Sequence, residues 1–400
     1  MKNILISIFC LKDIGGISSS LYNLLLDIHG RYNVSLCILS NFKSDKYVLP
    51  EDVKIIAGND VLGDMTLPRE YLSSQNFVRK FVRNIRRFWR KINKSSICRE
   101  LDRIQAPGYY DVAIAFSDLS YRAGDTKIRY DYYFVWNSVL AKTKIAWVHN
   151  IPEAMGITRK NADGIFDGYD YIVNVSQNCK NSFDRIVSQL ASKSVVVYNM
   201  FNIEEIRKKA DVSAKVYENN GRVHFVTVGR VANGQKRMDR IVEVCQRLTL
   251  AGYNQFDWTV VGEGPDRMPM AKRTIELGLS GILHFVGLKI NPYPYMKQAD
   301  AFVLSSLYEG FSMVLKEAQI LNVPTFVTEV GSAYESVLDG LQGEICDNST
   351  EGLYQMIKGI LDFPEKLSMY RHYIEAHPIA NNLARKQFDK LIESADYGKE

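Results

Sequence analysis

The sequence predicts an α/β protein with two domains, each built around a doubly wound parallel sheet. The chain has 400 residues, more than one hydrophobic core usually serves. Short continuous apolar runs alternate with longer helical patterns, as expected for parallel strands that helices bury on both faces. The alternation stops in a polar, charged stretch at 199–221 and then begins again. We therefore predict a linker at 199–221, with one domain on either side of it.

The strands follow from the apolar runs, taken in chain order. The first domain, 1–198, contains predicted strands at 3–9, 33–39, 111–116, 144–148, 171–175 and 194–198. The second domain, 222–378, contains predicted strands at 222–228, 257–261, 282–286, 300–304 and 323–327. The remaining stretch, 379–400, is predicted to contain a C-terminal helix.

Composition and charge exclude several classes of protein. Hydrophobic residues make up 46% and charged residues 24% of the chain, which is ordinary for a globular protein. The net charge of +5 is too mild for a dedicated nucleic-acid binder. Six scattered cysteines without a CxxC motif predict neither a zinc site nor a disulfide framework, and they fit a reducing cytoplasm. The apolar run 3–9 is too short for a signal peptide, and no run is long enough to span a membrane.

Unusual residues follow directly after several predicted strands. Ligands of open parallel sheets bind outside the carboxyl ends of the strands, so chemistry is expected at these positions. The residues are Gly15 and Gly16, His149 and Asn150, Gly229 and Arg230, Gly262, Glu263 and Gly264, and Glu309, Gly310 and Phe311.

Arg230 and Lys236 are candidates for an anion site. Arg230 stands at a strand end and Lys236 follows six residues later, near the start of the next helix. An arginine fork and a lysine point charge can converge on one phosphate. Taken alone, the same pair could be two solvated surface cations.

The segment EGFSMVLKE, 309–317, places two acids eight residues apart. Glu309 lies in a loop after a strand, and Glu317 falls within an apolar-periodic helix. The backbone N–H groups at the helix start attract phosphate, and carboxylates accept hydrogen bonds from sugar hydroxyls. Taken singly, the acids could be a helix cap and a surface glutamate.

The stretch 77–94 predicts a strongly basic amphipathic helix. Its apolar arc contains Phe77, Val78, Phe81, Val82, Ile85, Phe88, Trp89 and Ile92. Its opposite arc contains Arg79, Lys80, Arg83, Arg86, Arg87, Arg90, Lys91 and Lys94. This composition is typical of a helix lying on an anionic membrane surface. An ordinary helix packed on the first sheet is an equal alternative, and a nucleic-acid patch is a third.

The motifs taken in order resemble retaining glycosyltransferase family 4, a GT-B family with two Rossmann-like domains and a cleft between them. In the second half, VGR with Lys236, VGEGP at 261–265, FVG at 285–287 and the spaced glutamates of 309–317 carry the resemblance. In the first half, Gly15 and Gly16, WVHN at 147–150 and YIVNVS at 171–176 carry it. The resemblance covers nearly the whole chain and implies that the C-terminal helix crosses back to the first domain.

The resemblance implies transfer of a hexose-type sugar from a nucleotide-diphosphate donor, a UDP sugar, with retention of anomeric configuration. Arg230 and Lys236 would stabilise the diphosphate, Glu309 the transferred sugar, and Glu317 the ribose. His149 would contact a sugar hydroxyl at the reaction centre. The other implied donor-binding positions are Gly15, Gly16, Gly229, Gly262, Glu263, Gly264, Gly310, Phe311, Ser312, Met313 and Val314.

The resemblance also implies partners and a location. The acceptor would be a saccharide or a lipid-linked saccharide of bacterial surface-polysaccharide synthesis, such as a capsule or O-antigen. The enzyme would be cytoplasmic and peripheral on the inner face of the cell membrane, with no nucleic-acid partner. The chain lacks a DxD motif, so no metal and no other cofactor is expected.

Two positions depart from the family pattern, which often has glycine where this chain has Arg237 and Ser312. Neither change removes a charged group from the candidate site.

Three other functions remain open. A nucleotide-sugar epimerase or hydrolase of the same fold would consume the donor without an acceptor. A non-catalytic glycosyltransferase-like partner subunit would bind the donor without turnover. A nicotinamide-dependent dehydrogenase is disfavoured, because Gly262 and Gly264 are followed by Arg267 where a dinucleotide fingerprint needs its third glycine.

Overall fold

A computed structural model describes residues 1–12, 15–66, 84–86, 96–116, 130–212, 214–218 and 220–394. The chain divides into two compact units. The first comprises Met1–Phe201 and Asn381–Glu400, and the second comprises Asn202–Ala380. Every strand of the two described sheets pairs in parallel with its neighbours. The predicted α/β class with two parallel sheets is confirmed.

The first unit is built on a seven-stranded sheet of order β3-β2-β1-β4-β5-β6-β7. Its strands are β1 Asn3–Ile8, β2 Asn33–Ile38, β3 Lys54–Ala57, β4 Tyr110–Ala115, β5 Ala141–Val148, β6 Tyr171–Asn174 and β7 Ser194–Val196. Its described helices are Gly16–Ile28, Asp60–Thr66, Ser96–Asp102, Tyr130–Ser138, Arg159–Phe166, Gln177–Ile186 and Asn382–Ser394, with a 3₁₀ helix at Ser188–Lys193. Central strands are buried on both faces, which explains their continuous apolar runs.

The helix Asn382–Ser394 packs within the first unit, far in sequence from the rest of it. Asp27 accepts hydrogen bonds from Arg31 Nη2 at 2.8 Å and from Arg385 Nε at 3.0 Å. Arg31 Nη1 also donates to Asp389 at 2.8 Å. Beneath these ion pairs, Phe388 is fully buried. A charged network and an apolar contact therefore hold this helix in place.

The second unit is built on a six-stranded sheet of order β10-β9-β8-β11-β12-β13. Its strands are β8 Val223–Val228, β9 Phe256–Val261, β10 Leu283–Gly287, β11 Ala301–Leu304, β12 Thr325–Thr328 and β13 Gly343–Cys346. Its helices are Ile203–Ala210, Met238–Leu250, Arg267–Glu276, Tyr293–Lys297, Met313–Ile320, Ala333–Ser336, Thr350–Asp362 and Glu365–Ala376. β8 and β11 lie side by side at the centre, where the strand order reverses.

The structure differs from the predicted linker at 199–221, because a helix occupies Ile203–Ala210 within it. The Asn202 side chain caps this helix by accepting a hydrogen bond from the Glu205 N–H at 3.2 Å. Ile206 and Ala210, four residues apart, are buried on its inner face. The prediction missed the helix because only Ile203, Ile206 and Ala210 interrupt a charged sequence. The boundary between the units lies at its start, between residues 201 and 202.

Most of the predicted basic helix at 77–94 lies outside the described residues. Only 84–86 are described, and they are helical. Arg86 forms an ion pair with Asp64, so one of the predicted cations is paired within the first unit. No helix in the described part of the chain combines the length and apolarity needed to cross a bilayer.

Candidate functional site

The strand order of the second unit points to the carboxyl ends of β8 and β11. Their loops leave the sheet in opposite directions, and such a switch point is where open α/β sheets bind ligands. The loop after β8 contains Gly229, Arg230 and Lys236, and the loop after β11 contains Glu309. The structure therefore places four of the predicted site residues on two adjoining loops.

An ion pair joins Lys236 and Glu309 across these loops. Lys236 Nζ donates to Glu309 Oε1 at 2.6 Å. The Ser306 hydroxyl donates to the same oxygen, also at 2.6 Å. The two ionic side chains are only 14% and 9% exposed, so water screens their charges weakly. Oε1 accepts both bonds, and no described residue donates to Oε2, which leaves that oxygen able to accept from a ligand hydroxyl.

Backbone contacts hold the two loops together. The Leu307 N–H donates to the Gln235 carbonyl at 2.7 Å, and the Ser305 hydroxyl donates to the Lys236 carbonyl at 2.8 Å. The Lys236 stem runs beside Gly229, where an added Cβ would stand 3.6 Å from Lys236 Cε. These contacts fix the backbone on both sides of the ion pair.

Arg230 is exposed, and its guanidinium pairs with no carboxylate in the described part of the chain. Lys236, in contrast, is already engaged by Glu309. That both cations bind one anion stays a prediction. The arrangement is compatible with it, since an arriving anion would find one unpaired guanidinium and one ammonium that can exchange partners.

Gly262 and Gly264 allow the loop after β9 to pack directly on the loop after β8. An added Cβ on Gly262, at φ 154°, would lie 1.8 Å from the Gly229 carbonyl oxygen. An added Cβ on Gly264 would lie 2.2 Å from the Val231 carbonyl oxygen. No side chain fits in either place, so these glycines are required by close backbone approach.

Glu263, between those glycines, faces solvent. Its carboxylate forms an ion pair at 2.9 Å with Arg267, the first residue of the following helix. The hydrogen bond from Arg267 lowers the pKa of Glu263. Glu263 therefore stays ionised and paired, and its predicted contact with a donor stays a prediction.

The helix Met313–Ile320 begins four residues after Glu309, with Ser312 as its N-cap. Its first turn contains no acidic side chain, and its first N–H groups have no intrahelical acceptor. The Ser312 hydroxyl is buried and makes no hydrogen bond with any residue that the structure describes. A buried donor without a partner at a helix N-terminus is a position where an anion would be stabilised.

The remaining predicted residues of this segment lie around that N-terminus. Gly310 is buried and Phe311 is half-buried in the loop, whereas Met313 and Val314 form the first helical positions. Glu317 lies half-buried in the next turn of the helix. The structure thus places Glu309 before the helix and Glu317 inside it, as the sequence predicted.

In the first unit, Gly16 begins the helix Gly16–Ile28 and Gly15 is its N-cap. Gly15 has φ 147°, a conformation that side-chain-bearing residues rarely adopt. His149 follows β5 and is half-buried, with its ring 4.6 Å from that of Phe116. His149 Nε2 lies 2.9 Å from the Phe116 carbonyl oxygen. A carbonyl only accepts, so Nε2 carries a proton, and in the neutral ring Nδ1 is the acceptor.

Sequence reasoning missed Ser306, which lies two residues after β11 and binds Glu309. It also missed Arg240 and Asn348, which lie beneath the loops. A pair of serines directly after a buried strand, Ser305 and Ser306, was a usable signal for the first. Arg240 gave no signal, because an arginine in a helical pattern is usually exposed. Among the described residues, no group of three histidine, cysteine, aspartate or glutamate side chains could hold a metal ion.

Comparison with known proteins identifies the second unit. Residues 208–377 match the family described as glycosyl transferases group 1. The chain carries a glycosyl transferases group 1 domain. The Lys236–Glu309 pair and the 313–320 helix both lie within this glycosyl transferases group 1 domain.

Relatives and solved structures extend the comparison. A 4-α-N-acetylgalactosaminyltransferase of Campylobacter jejuni, named for an undecaprenol-diphosphate-linked acceptor, is 25% identical over 55% of this chain and 57% of its own. The lipopolysaccharide outer core galactosyltransferase WaaB matches with TM-score 0.61 and 19% identity, over 98% of this chain and 99% of its own. Anabaena HepE, solved with UDP and glucose, matches with TM-score 0.66 and 15% identity. The match covers 99% of this chain and 100% of the HepE chain.

These structural matches confirm the GT-B fold. The sequence matches are shorter, since the chain spans 16–57% of the lengths of the first three curated relatives.

Proposed function

We propose that the protein is a retaining glycosyltransferase that moves a hexose-type sugar from a UDP sugar to a saccharide or lipid-linked saccharide acceptor in bacterial surface-polysaccharide synthesis. The observation that carries the proposal is the buried Lys236–Glu309 pair beside an acid-free helix N-terminus, inside a glycosyl transferases group 1 domain. One cluster thus offers positive charge for a diphosphate and a carboxylate for sugar hydroxyls.

The diphosphate is the group that the cations and the helix would hold. Arg230, Lys236 and the N–H groups of the 313–320 helix supply positive charge, and the unpartnered Ser312 hydroxyl supplies a donor. During transfer the bond from the anomeric carbon to the β-phosphate oxygen breaks, and negative charge grows on the leaving diphosphate. Groups already oriented toward that charge lower the barrier.

The carboxylates and His149 would orient the sugars. Glu309 Oε2 would accept a hydroxyl of the transferred sugar, and Glu317 would accept the ribose hydroxyls. We propose that His149 contacts a further sugar hydroxyl. The acceptor oxygen would bond to the anomeric carbon on the face that the diphosphate leaves, and the acceptor proton would pass to that diphosphate. This front-side route needs no protein nucleophile and retains configuration.

The choice of UDP is supported by HepE, which has the same fold and was solved with UDP and glucose. The choice of a lipid-linked acceptor is supported by the Campylobacter relative, whose name specifies a diphospho-undecaprenol substrate. A lipid-linked acceptor would place the protein at the cytoplasmic face of the membrane. The basic stretch 77–94 would provide the attraction to anionic lipid.

The proposal is tested by measuring binding and transfer separately. Calorimetry against nucleotide diphosphates should select UDP, and transfer from UDP sugars to saccharide and lipid-linked acceptors should follow. Proton NMR of the product should show the same anomeric configuration as the donor. We expect transfer to persist in EDTA, because Arg230 and Lys236 supply the charge that a metal would otherwise provide.

Variants assign the roles. Lys236→Ala or Arg230→Ala should weaken UDP binding about 10- to 100-fold, the effect of losing one charge-assisted hydrogen bond. Glu309→Gln should lower turnover more than UDP affinity, whereas Glu317→Gln should lower UDP affinity. Lys272→Ala, which removes a 79% exposed lysine from the same unit, is the matched control. Unchanged binding in both cation variants would remove the diphosphate assignment.

Two outcomes would replace the proposal, and a third would remove only its membrane part. Donor consumption without an acceptor would indicate an epimerase or hydrolase. Tight UDP binding without turnover on any acceptor would indicate a non-catalytic partner subunit. If the protein transfers sugar to soluble acceptors but does not bind anionic vesicles, the membrane role of 77–94 is removed. The proposed chemistry is then unaffected.

A further inference from the structure

Arg240 is a buried cation for which the described part of the chain provides no carboxylate. It lies in the first turn of the helix Met238–Leu250 and is only 4% exposed. Its guanidinium donates to the Asn348 side-chain oxygen at 2.6 Å and to the Asn348 carbonyl at 3.0 Å. A longer bond of 3.4 Å reaches the Ser305 carbonyl. Burying a charge against neutral oxygens costs free energy, so a buried arginine here indicates that it has a function.

Asn348, which Arg240 contacts, also forms hydrogen bonds with two further loops. It follows β13, and its side-chain amide donates to the carbonyls of Leu307 and Glu329, both at 3.0 Å. Leu307 lies after β11 and Glu329 after β12. A single side chain, itself held by Arg240, therefore fixes the backbone of the loops that follow three neighbouring strands.

Ser305 passes the contact to the other side of the site. Its hydroxyl donates to the carbonyls of Lys236 and Arg237, at 2.8 and 3.2 Å. Arg237 has φ 50° and ψ 47°, a left-handed conformation that costs a non-glycine residue energy. Such a conformation persists when its surroundings hold it, and here the Ser305 hydroxyl is one of the groups that do so.

We propose that Arg240, acting through Asn348 and Ser305, is a positioning residue that holds Lys236 and Glu309 in register for sugar transfer. The inference rests on the proposed function. The network reaches the backbone at Lys236 directly and the backbone of the Glu309 loop at residues 305 and 307. A shift of either loop would separate the ammonium from the carboxylate, which lie 2.6 Å apart.

Arginine suits this position better than lysine. Three acceptor oxygens surround the guanidinium, and its planar fork can donate to all of them from fixed directions. A lysine ammonium is a point charge on a flexible stem and cannot bridge the same set. Arg240→Lys should therefore fail to preserve the geometry even though it keeps the charge.

The test compares Arg240→Gln, Arg240→Lys and Asn348→Ala in the full-length protein. Arg247→Gln, which alters an arginine at the far end of the same helix, is the control. We expect the first three variants to lower kcat about 10- to 100-fold, the effect of a displacement of about 1 Å at a reacting centre. UDP affinity should fall by a smaller factor than kcat, because a displaced Lys236 ammonium still lies near the diphosphate even when its register with Glu309 is lost. Amide exchange of residues 305–309 should become faster, and the control should change none of these.

Adding Arg240→Gln to the Glu309→Gln variant distinguishes a positioning role from a general loss of structure. If Arg240 acts through the ion pair, Arg240→Gln should lower the residual turnover of Glu309→Gln by less than about threefold, because the pair is already broken. A full additional loss of turnover, or normal kcat in Arg240→Gln, would overturn the proposal. If Arg240→Gln does not fold, Asn348→Ala tests the same network with the arginine in place.

The failure of the proposed function would be visible separately. A wild-type protein that transfers no sugar from any donor would remove that function. Amide exchange at residues 305–309 would then still decide whether Arg240 holds the loop, because that measurement needs no substrate. Unchanged exchange in Arg240→Gln would overturn the network itself.

Discussion

The buried pair of Lys236 and Glu309 makes a sharp prediction about stability. At 2.6 Å and an effective dielectric constant of about 20, the attraction between the two charges is about 6 kcal/mol. Desolvation of two side chains that are 14% and 9% exposed offsets much of this, so the intact pair contributes little net stability. Removing one partner abolishes the attraction and leaves the other charge desolvated.

Lys236→Met and Glu309→Gln should therefore each lower the free energy of unfolding of the second unit by about 3–5 kcal/mol. The double variant buries neither charge and should recover most of that loss. The coupling energy, which is the sum of the two single losses minus the loss in the double variant, should therefore be about 5 kcal/mol or more. Native-state amide exchange in urea is the appropriate assay, because it reports the second unit separately from the first.

The matched control is the pair Lys272–Glu276, which lies at 3.6 Å with side chains 79% and 59% exposed. The same cycle there should give less than about 0.5 kcal/mol of coupling. If Lys236→Met and Glu309→Gln each cost less than about 1 kcal/mol and add independently, the site pair is solvated like the control. In that case the reasoning from burial is wrong.

Three further predictions concern other parts of the molecule. Burial lowers the pKa of Lys316 from 10.5 to about 8, so the unfolded chain binds more protons between these values and stability rises with pH across that window. Between about pH 7 and about pH 10.5, the free energy of unfolding of the wild type should rise by about 3 kcal/mol relative to that of Lys316→Met, as measured by urea titration. The same pH dependence of unfolding free energy in both proteins would contradict this. Arg237→Gly should change stability by less than about 1 kcal/mol, whereas Arg237→Val should cost more, because a β-branched residue is disfavoured at φ 50°; equal melting temperatures would refute this. Asp27→Asn removes the carboxylate shared by Arg31 and Arg385 and should speed amide exchange of the helix Asn382–Ser394, at a cost of about 2 kcal/mol; unchanged exchange would show that apolar packing alone holds this helix.

The strands that were predicted correctly are those whose burial produces a continuous apolar run in the sequence. Runs such as 3–9 and 257–261 correspond to β1 and β9, whose residues are almost all buried. β3 and β13 were missed, although the edge strands β7 and β10 were predicted. β3 has the sequence KIIA and β13 the sequence GEIC, so neither has more than three consecutive apolar residues. Runs that short do not stand out from the surrounding sequence.

The charged residues of the candidate site could be predicted from the sequence. The residues that hold their loops in place could not. Strand ends and spacing were enough to select Lys236 and Glu309, which the structure brings to 2.6 Å. The direct pairing of these two residues was not predicted, because spacing says nothing about side-chain direction. Arg240 and Asn348 lie 108 residues apart, and no local pattern announces a contact over that separation.

The departure from glycine at Arg237 now has a physical meaning. The backbone there is left-handed, with φ 50°, which explains why a glycine would suit the position. The ion pair between Arg237 and Asp239 at 2.9 Å and the hydrogen bond from Ser305 accompany the arginine in this chain.

The division of the chain has a consequence for its synthesis. The Asn381 side chain hydrogen-bonds both the N–H and the carbonyl of Phe201, so the two points where the polypeptide leaves and re-enters the first unit adjoin each other. A ribosome completes residues 202–380 before it reaches the helix that finishes the first unit. The nascent first unit must therefore wait, with the surface that will receive Phe388 uncovered, while the inserted unit emerges and folds. A chaperone that binds nascent chains would find its target on that surface during this interval.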